Sequence, residues 1–396
     1  MAHADPHPSD AVAAGEVRSW LEDRRDDIVE LTARLARAES PSADGAAQAG
    51  MRAILTEEFA AVGLTVESLP GRAGCDHLCA QDRSVDADGP SQLLLGHLDT
   101  VWPVGTLERM PVAIHDGRLH GPGVFDMKAG LAQMIYALRA LRAVGHRPVC
   151  RPVVFVSADE EIGSQTSAEH IRRLARRVRR VLVLEPAFGP RGALKTARKG
   201  IGNFTLTVRG VASHAGLDPE GGVSAIRELS RQIEALFELN DHARGVTVNV
   251  GTIDGGLRPN VIAPVATAHI EARAPTTADA AALERAILGL RPTRERITLE
   301  VTGGFRRPPM EETPANRALW HTARAAAQAL GMSVEQARVG GGSDGNLTSP
   351  LVATLDGLGA VGDGAHADHE NVVIAALPER AALLAALLMM PPGGAT

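Results

Sequence analysis

Seven residues of this chain carry groups that bind metal ions or move protons: His97, Asp99, Asp126, Glu160, Glu161, Glu185 and His366. Their settings are more telling than their types. His97 and Asp99 follow the apolar run Leu93-Leu94-Leu95, which ends at Gly96. Glu160 and Glu161 follow the β-branched run Val153 to Ser157, and Glu185 follows Val181 to Leu184. Short apolar runs of this kind are buried, mostly parallel strands. In open α/β sheets ligands bind at the carboxyl ends of such strands. Taken singly, each residue has an ordinary explanation: a Glu-Glu pair is usually surface charge, and Asp126 could cap the helix that follows it. Jointly they are harder to dismiss. Carboxylates at the ends of successive buried strands face one another and repel, and they stay ionised only where cations are present. Two histidines and three carboxylates suit a pair of borderline ions such as zinc, and also cobalt or manganese. Paired metals roughly 3.5–4 Å apart clamp a bridging hydroxide and polarise a carbonyl, so hydrolysis of an amide or ester is the natural chemistry.

The elements that must position these groups follow from periodicity. Val12 to Arg37 is predicted helical, with Val17, Trp20, Ile28, Leu31 and Leu35 on one face, and Pro41 ends it. A helix over Ala46 to Val62 and a strand over Leu64 to Leu69 follow, then a polar stretch from Cys75 to Pro90 that reads as loop. Gly121-Pro122-Gly123 makes a tight turn that delivers Asp126, and a helix with Leu131, Met134, Ile135, Leu138 and Leu141 on one face comes next. A basic helix over His170 to Arg180 reads as a solvated face. Strands alternating with helices argue for a three-layer α/β/α domain. Near Arg198 the rhythm changes. Strand Phe204 to Val208, helix Val223 to Leu239, strands Val246 to Ile253 and Val261 to Ala272, helix Ala278 to Leu290 and strand Ile297 to Val301 make a βαββαβ, ferredoxin-like unit. The expected division is therefore a catalytic domain over 1–197 and 308–396, with an inserted domain over 198–307. The second catalytic segment contains helix Pro314 to Leu330, the turn Gly340 to Gly345, strand Leu351 to Leu355, and a closing helix Pro378 to Met390. That turn lacks the Gly-Lys-Ser/Thr of a phosphate loop and is expected to bring Ser343 near a substrate.

Composition narrows the class. The 396 residues are 44% hydrophobic, enough for about two domains. A formal net charge of -6 with no long basic block argues against a nucleic-acid partner. The first twenty residues lack the apolar core of a secretory signal, and the run Ala381 to Met390 is too short to span a bilayer, so no membrane partner is expected. The three cysteines, Cys75, Cys79 and Cys150, do not form a disulfide framework, which points to the cytoplasm.

The segments GHLDTV, HGPGVFDMKAG, SADEEIGS, LEP at Leu184 to Pro186, ASHAG at Ala212 to Gly216, GGGSDGN at Gly340 to Asn346 and GAHADHENV at Gly364 to Val372 resemble, in order and spacing, the di-zinc family of aminoacylases, glutamate carboxypeptidases and succinyl-diaminopimelate desuccinylases. Glu185 makes the glutamate carboxypeptidase branch the nearest in look. The resemblance implies that His97 and Glu185 hold one zinc, that Glu161 and His366 hold the other, and that Asp126 bridges both. It implies that Asp99 orients His97 and that Glu160 is the general base. His369 is a rival ligand, but the spacing from GAH to Glu370 fits His366. Met127 departs from the polar residue that many members have there. The resemblance further implies a cis peptide between Asp126 and Met127. It also implies that His214 is supplied by the partner subunit of a homodimer formed through the inserted lid domain, and that Asn260 and Arg273 contact a substrate carboxylate. The implied activity is cleavage of an amide next to a free carboxylate. An acetylornithine- or succinyl-diaminopimelate-type deacylase is the close alternative. A non-catalytic metal-binding dimer is the distant one, and Glu160 speaks against it because a metal binder has no need of a non-ligating base.

Overall fold

The computed structural model describes residues 8–83 and 89–392. The start of the chain and residues 84–88 of the expected Cys75–Pro90 loop lie outside the described residues. Contacts divide the chain into two units. One runs through Thr196 and adds Glu312–Arg338 and the chain from Ser343; the other is Ala197–Glu311 with Val339–Gly342. The second unit thus takes in part of the glycine-rich turn as well as the insertion.

In the first unit, α1 (Pro8–Glu22), α2 (Arg25–Arg37) and α3 (Gly45–Ala61) precede β1 (Thr65–Leu69), β2 (His77–Gln81) and β3 (Ser91–His97). A hairpin of β4 (Ala113–His115) and β5 (Arg118–His120) leads to α4 (Ala129–Ala143), β6 (Arg151–Ser157), α5 (Ser167–Ala175), β7 (Val181–Val183) and β8 (Leu194–Arg198). The main sheet has the order β1-β2-β6-β3-β7, closed by a two-residue strand at Thr354–Leu355. β3 pairs in parallel with both β6 and β7, so the carboxyl ends of all three lie on one edge. Alternation along the strands sends their side chains to two cores. Leu94, Val154 and Leu182 join the core that contains α1, α2, α4 and the C-terminal helix, while Leu93, Leu95, Phe155 and Val183 face Ile171 and Ala175 of α5. Two cores on one sheet make three layers.

The second unit runs β9 (Gly200–Arg209), α6 (Ala225–Phe237), β10 (Thr247–Gly255), β11 (Val265–Ala274), α7 (Thr277–Leu288) and β12 (Thr298–Arg307). Its strands pair antiparallel in the order β10-β11-β9-β12, the ferredoxin-like arrangement. Phe204, Leu206 and Val208 alternate inward from β9 onto a core with Leu229, Leu236, Leu283 and Ile287 of the two helices. Ser224 and Thr276 cap those helices through their side chains. The first unit resumes with α8 (Pro314–Ala329), β13 (Gln336–Val339), α9 (Gly345–Thr348), β14 (Thr354–Leu355), β15 (Gly362–Asp363), β16 (Asn371–Val373) and α10 (Ala376–Met389). No helix among the described residues is long and apolar enough to cross a membrane.

Several expectations are corrected. The single helix over Val12 to Arg37 is two, broken at residues 23 and 24. His77 to Gln81, expected as loop, is a buried strand between β1 and β6. The helix over His170 to Arg180 ends at Ala175. Arg180 is not on a solvated face. It is fully buried and donates to the carbonyls of Leu387, Met390 and Pro391 at the end of α10. The strand over Leu351 to Leu355 shrinks to two residues.

Candidate metal centre

Three strand ends and two loops build the centre. His97 closes β3 and is 2% exposed. Its Nδ1 lies 2.9 Å from the carbonyl oxygen of Asp99, an arrangement in which the ring donates from Nδ1 and presents Nε2. Nε2 is 3.1 Å from Asp126 Oδ1 and 3.6 Å from Glu185 Oε1. Asp99 is buried too. Its carboxylate accepts the Ser42 hydroxyl (2.6 Å) and the backbone N–H groups of Glu160 and Glu161 (3.1 Å each). One aspartate therefore ties the end of β3 to the turn after β6. That turn is a single helical turn, Glu160–Ile162.

Asp126 sits between Gly123, whose φ is +73°, and α4. The Asp126–Met127 peptide is cis, as the resemblance implied. Met127 is fully buried, and its sulfur accepts the His97 N–H at 3.2 Å. Gly130 lets the start of α4 reach the strand that delivers Glu185: a Cβ there would stand 2.2 Å from the Leu184 carbonyl oxygen. His366 reaches in from the other side. Its Nε2 lies 3.0 Å from Glu161 Oε2 and 3.6 Å from Asp126 Oδ2. Asp126 thus faces His97 with one oxygen and His366 with the other.

The charges are unbalanced toward the negative. Burial works against protonating His97, but hydrogen bonds to Asp126, Asp99 and Glu185 outweigh it and hold the imidazole well above its ordinary pKa. His366 is raised to about 9, chiefly by its hydrogen bond to Glu161. Burial raises Glu161 despite His366, whereas Asp99 is lowered because His97 and Ser42 outweigh its burial. A field that holds protons on two imidazoles also favours divalent cations. The donor set fits them. His97, Asp126 and Glu161 bring ligand atoms within 4.8 Å of one another, and so do His97, Glu160 and Glu185. Glu161 Oε1 is buried with no hydrogen-bond partner among the described residues. A buried carboxylate oxygen without a donor is costly, and a cation would satisfy it.

The remaining candidates are placed differently. Ser343 is fully buried, its hydroxyl donates to Asp356 (2.6 Å) and it accepts the Gly345 N–H (3.0 Å). These bonds brace its own turn. His214, Asn260 and Arg273 belong to the second unit. There the His214 loop is held to Asn260 through Ala215 N–H (3.0 Å) and to Val261 by a bridge. His214 Nδ1 accepts the N–H groups of Gly216 (3.1 Å) and Leu217 (3.2 Å). Two donors on Nδ1 select the tautomer that carries its proton on Nε2. Arg273 donates to Glu271 and to the Gly340 carbonyl (2.8 Å each).

Two residues have supporting roles that the sequence does not announce. Glu370, within the GAHADHENV segment, accepts the Asp126 N–H at 3.0 Å. His77 accepts the Ala158 N–H on Nδ1 (3.1 Å) and lies 3.0 Å from the Thr166 hydroxyl through Nε2, so it braces the turn that carries Glu160.

The chain matches the family described as peptidase family M20/M25/M40 over residues 93–390. Carboxypeptidase G2 of Pseudomonas sp. (strain RS-16) is 29% identical over 378 residues, 93% of this chain and 90% of that protein. A succinyl-diaminopimelate desuccinylase of Xanthomonas campestris pv. campestris (strain 8004) is 28% identical over 383 residues, 91% of this chain and 98% of that one. Among solved structures, the aminopeptidase PepT of Bacillus cereus ATCC 10987 superposes with a TM-score of 0.73 over 94% of this chain and 98% of that chain, at 22% identity, and shows the fold. With the match running through all three strand ends that supply the centre, the chain belongs to peptidase family M20/M25/M40 and is a metal-dependent amide hydrolase.

Proposed function

We propose that the chain cleaves an amide bond next to a free carboxylate, as a carboxypeptidase or an N-acyl-amino-acid amidohydrolase does, at a pair of zinc ions. The observation that carries this reading is the convergence of His97, Asp126, Glu161, Glu185 and His366, with the Oε1 of Glu161 buried and unsatisfied among the described residues. His97 and Glu185 would hold one ion, Glu161 and His366 the other, and Asp126 both; cobalt or manganese suits the same donors. Bound there, the ions would polarise the scissile carbonyl and lower the pKa of an attacking water. Asp99 keeps the His97 ring in place. Glu160 takes the proton of the water and passes it to the leaving nitrogen. In the second unit, the Nε2–H of His214 donates to the developing oxyanion, and Arg273 and Asn260 take the substrate carboxylate. The three free cysteines support a reducing compartment, the cytoplasm.

The test is a hydrolysis screen of N-acyl amino acids and dipeptides, with metal content measured on the same sample. Turnover is expected only where the carboxylate next to the scissile amide is free, with about two ions per chain. Equal turnover of the methyl esters would remove the carboxylate from the reading, and turnover by chelated protein would remove the metals. The desuccinylase relatives, matched over nearly their whole length, favour a second reading as a deacylase of succinylated or acetylated diamino acids. The same panel separates the two.

The homodimer reading draws on the second unit. β10 is an edge strand, and Ile253 and Leu257 on and beyond it are 65% and 69% exposed. Pairing such edges between copies gives a symmetric dimer, in which His214 acts on the partner's centre. Mixing inactive His214→Ala and Glu160→Gln subunits, with exchange verified, should restore roughly a quarter of wild-type activity. About half the dimers are mixed, and one site in each has both residues intact. No recovery would mean that His214 does not act in trans.

A further inference from the structure

Glu370 is a fully buried carboxylate in the first unit. Its two oxygens accept four N–H donors. Oε2 takes the Trp102 indole N–H and the Gly123 backbone N–H, each at 2.8 Å. Oε1 takes the backbone N–H groups of Phe125 (2.9 Å) and Asp126 (3.0 Å). Three of the four donors are backbone groups of the turn that delivers Asp126. Burying a carboxylate is costly unless hydrogen bonds compensate it. An apolar residue would fill the space more cheaply, so the charge has a job that packing does not explain.

The position of Glu370 in the chain supplies the job. It lies four residues after His366, and that stretch is folded back on itself: Ala367 N–H donates to the Gly364 carbonyl and Glu370 N–H to the Ala367 carbonyl, each at 2.9 Å. A Cβ on Gly364 would stand 2.9 Å from the Glu370 Cα, so the turn is tight. Asn371, the next residue, opens β16 and pairs with His120 of β5. One side chain therefore ties the loop of His366 to the loop of Asp126, two groups that come from separate segments of the unit's sequence and face each other across 3.6 Å.

We propose that Glu370 is a positioning residue of the metal centre, which holds Asp126 and His366 at the spacing that the ion on the Glu161–His366 side requires. This rests on the reading of the centre given above. The test is a zinc titration of chelator-stripped full-length protein by calorimetry, for wild type, Glu370→Gln and Trp102→Phe. Glutamine keeps the shape but turns an NH2 toward two N–H donors. One of the two zinc-binding steps should weaken by about 10–100-fold while the other is nearly unchanged. kcat should recover in excess zinc with KM unaltered, which a loss of fold would not allow. A folded Glu370→Gln protein with both zinc affinities at wild-type values would overturn the proposal. If that variant does not fold, Trp102→Phe carries the test, because it removes one donor and leaves the carboxylate. The same step should then weaken by a few-fold, and unchanged binding would overturn the proposal. If wild type takes up no zinc at all, the reading of the centre fails first and the role of Glu370 falls with it.

Discussion

Glu160→Gln should keep its fold and its metals and lose turnover by roughly 10²–10⁴-fold. Glu160 is 7% exposed, and its backbone N–H is fixed on Asp99, so glutamine enters the same space on the same backbone. What is lost is the ability to take a proton. The outcome decides between two roles that the geometry leaves adjacent, because Glu160 offers an oxygen within 4.8 Å of ligand atoms of His97 and Glu185. As a ligand it would take a metal with it when neutralised. As a general base it would leave the metals alone. Glu161→Gln is the contrast: its carboxylate meets His366, and its loss should lower metal content. Measuring kcat and metal per chain on both variants separates the roles. Near-normal kcat in Glu160→Gln would refute the base, and a lost ion would make Glu160 a ligand.

The groups that proved legible in the sequence are those whose placement depends on local pattern. β3, β6 and β7 are short apolar runs, and a run that ends in His97, Glu160-Glu161 or Glu185 announces both the strand and the edge it presents. The βαββαβ order of the second unit was legible for the same reason. What failed depends on partners far away in the chain. His77 looks like loop because a histidine in HLCAQ breaks an apolar run, yet its ring is satisfied by Ala158 and Thr166, more than eighty residues on. Arg180 closes a basic stretch and reads as surface, yet it caps α10 from over two hundred residues away. Glu370 enters the sequence pattern only through its spacing from His366, and its bracing role is hidden there because its donors, Trp102 and the Gly123 to Asp126 turn, lie more than two hundred residues away.

Asp126→Asn should hold at most one metal per chain and lose measurable turnover. The carboxylate of Asp126 stands between the two histidines, with Oδ1 3.1 Å from His97 Nε2 and Oδ2 3.6 Å from His366 Nε2. A bridging ligand uses both oxygens and one full negative charge. Asparagine keeps the size, replaces one oxygen by an amide donor, and removes the charge. The amide would turn N–H toward a position where a cation is expected, so one of the two sites loses a ligand and the other loses its shared anion. The fold should survive, because the backbone N–H of Asp126 stays on Glu370 whatever its side chain. The remaining carboxylates would then face each other with less cationic compensation. Metal analysis of zinc-replete protein, beside circular dichroism on the same sample, reads the result. Wild type should show about two ions per chain and the variant one or none. A folded variant that keeps both ions and wild-type turnover would mean that Asp126 does not bridge them, and the pairing of His97 with Glu185 and of Glu161 with His366 would have to be redrawn.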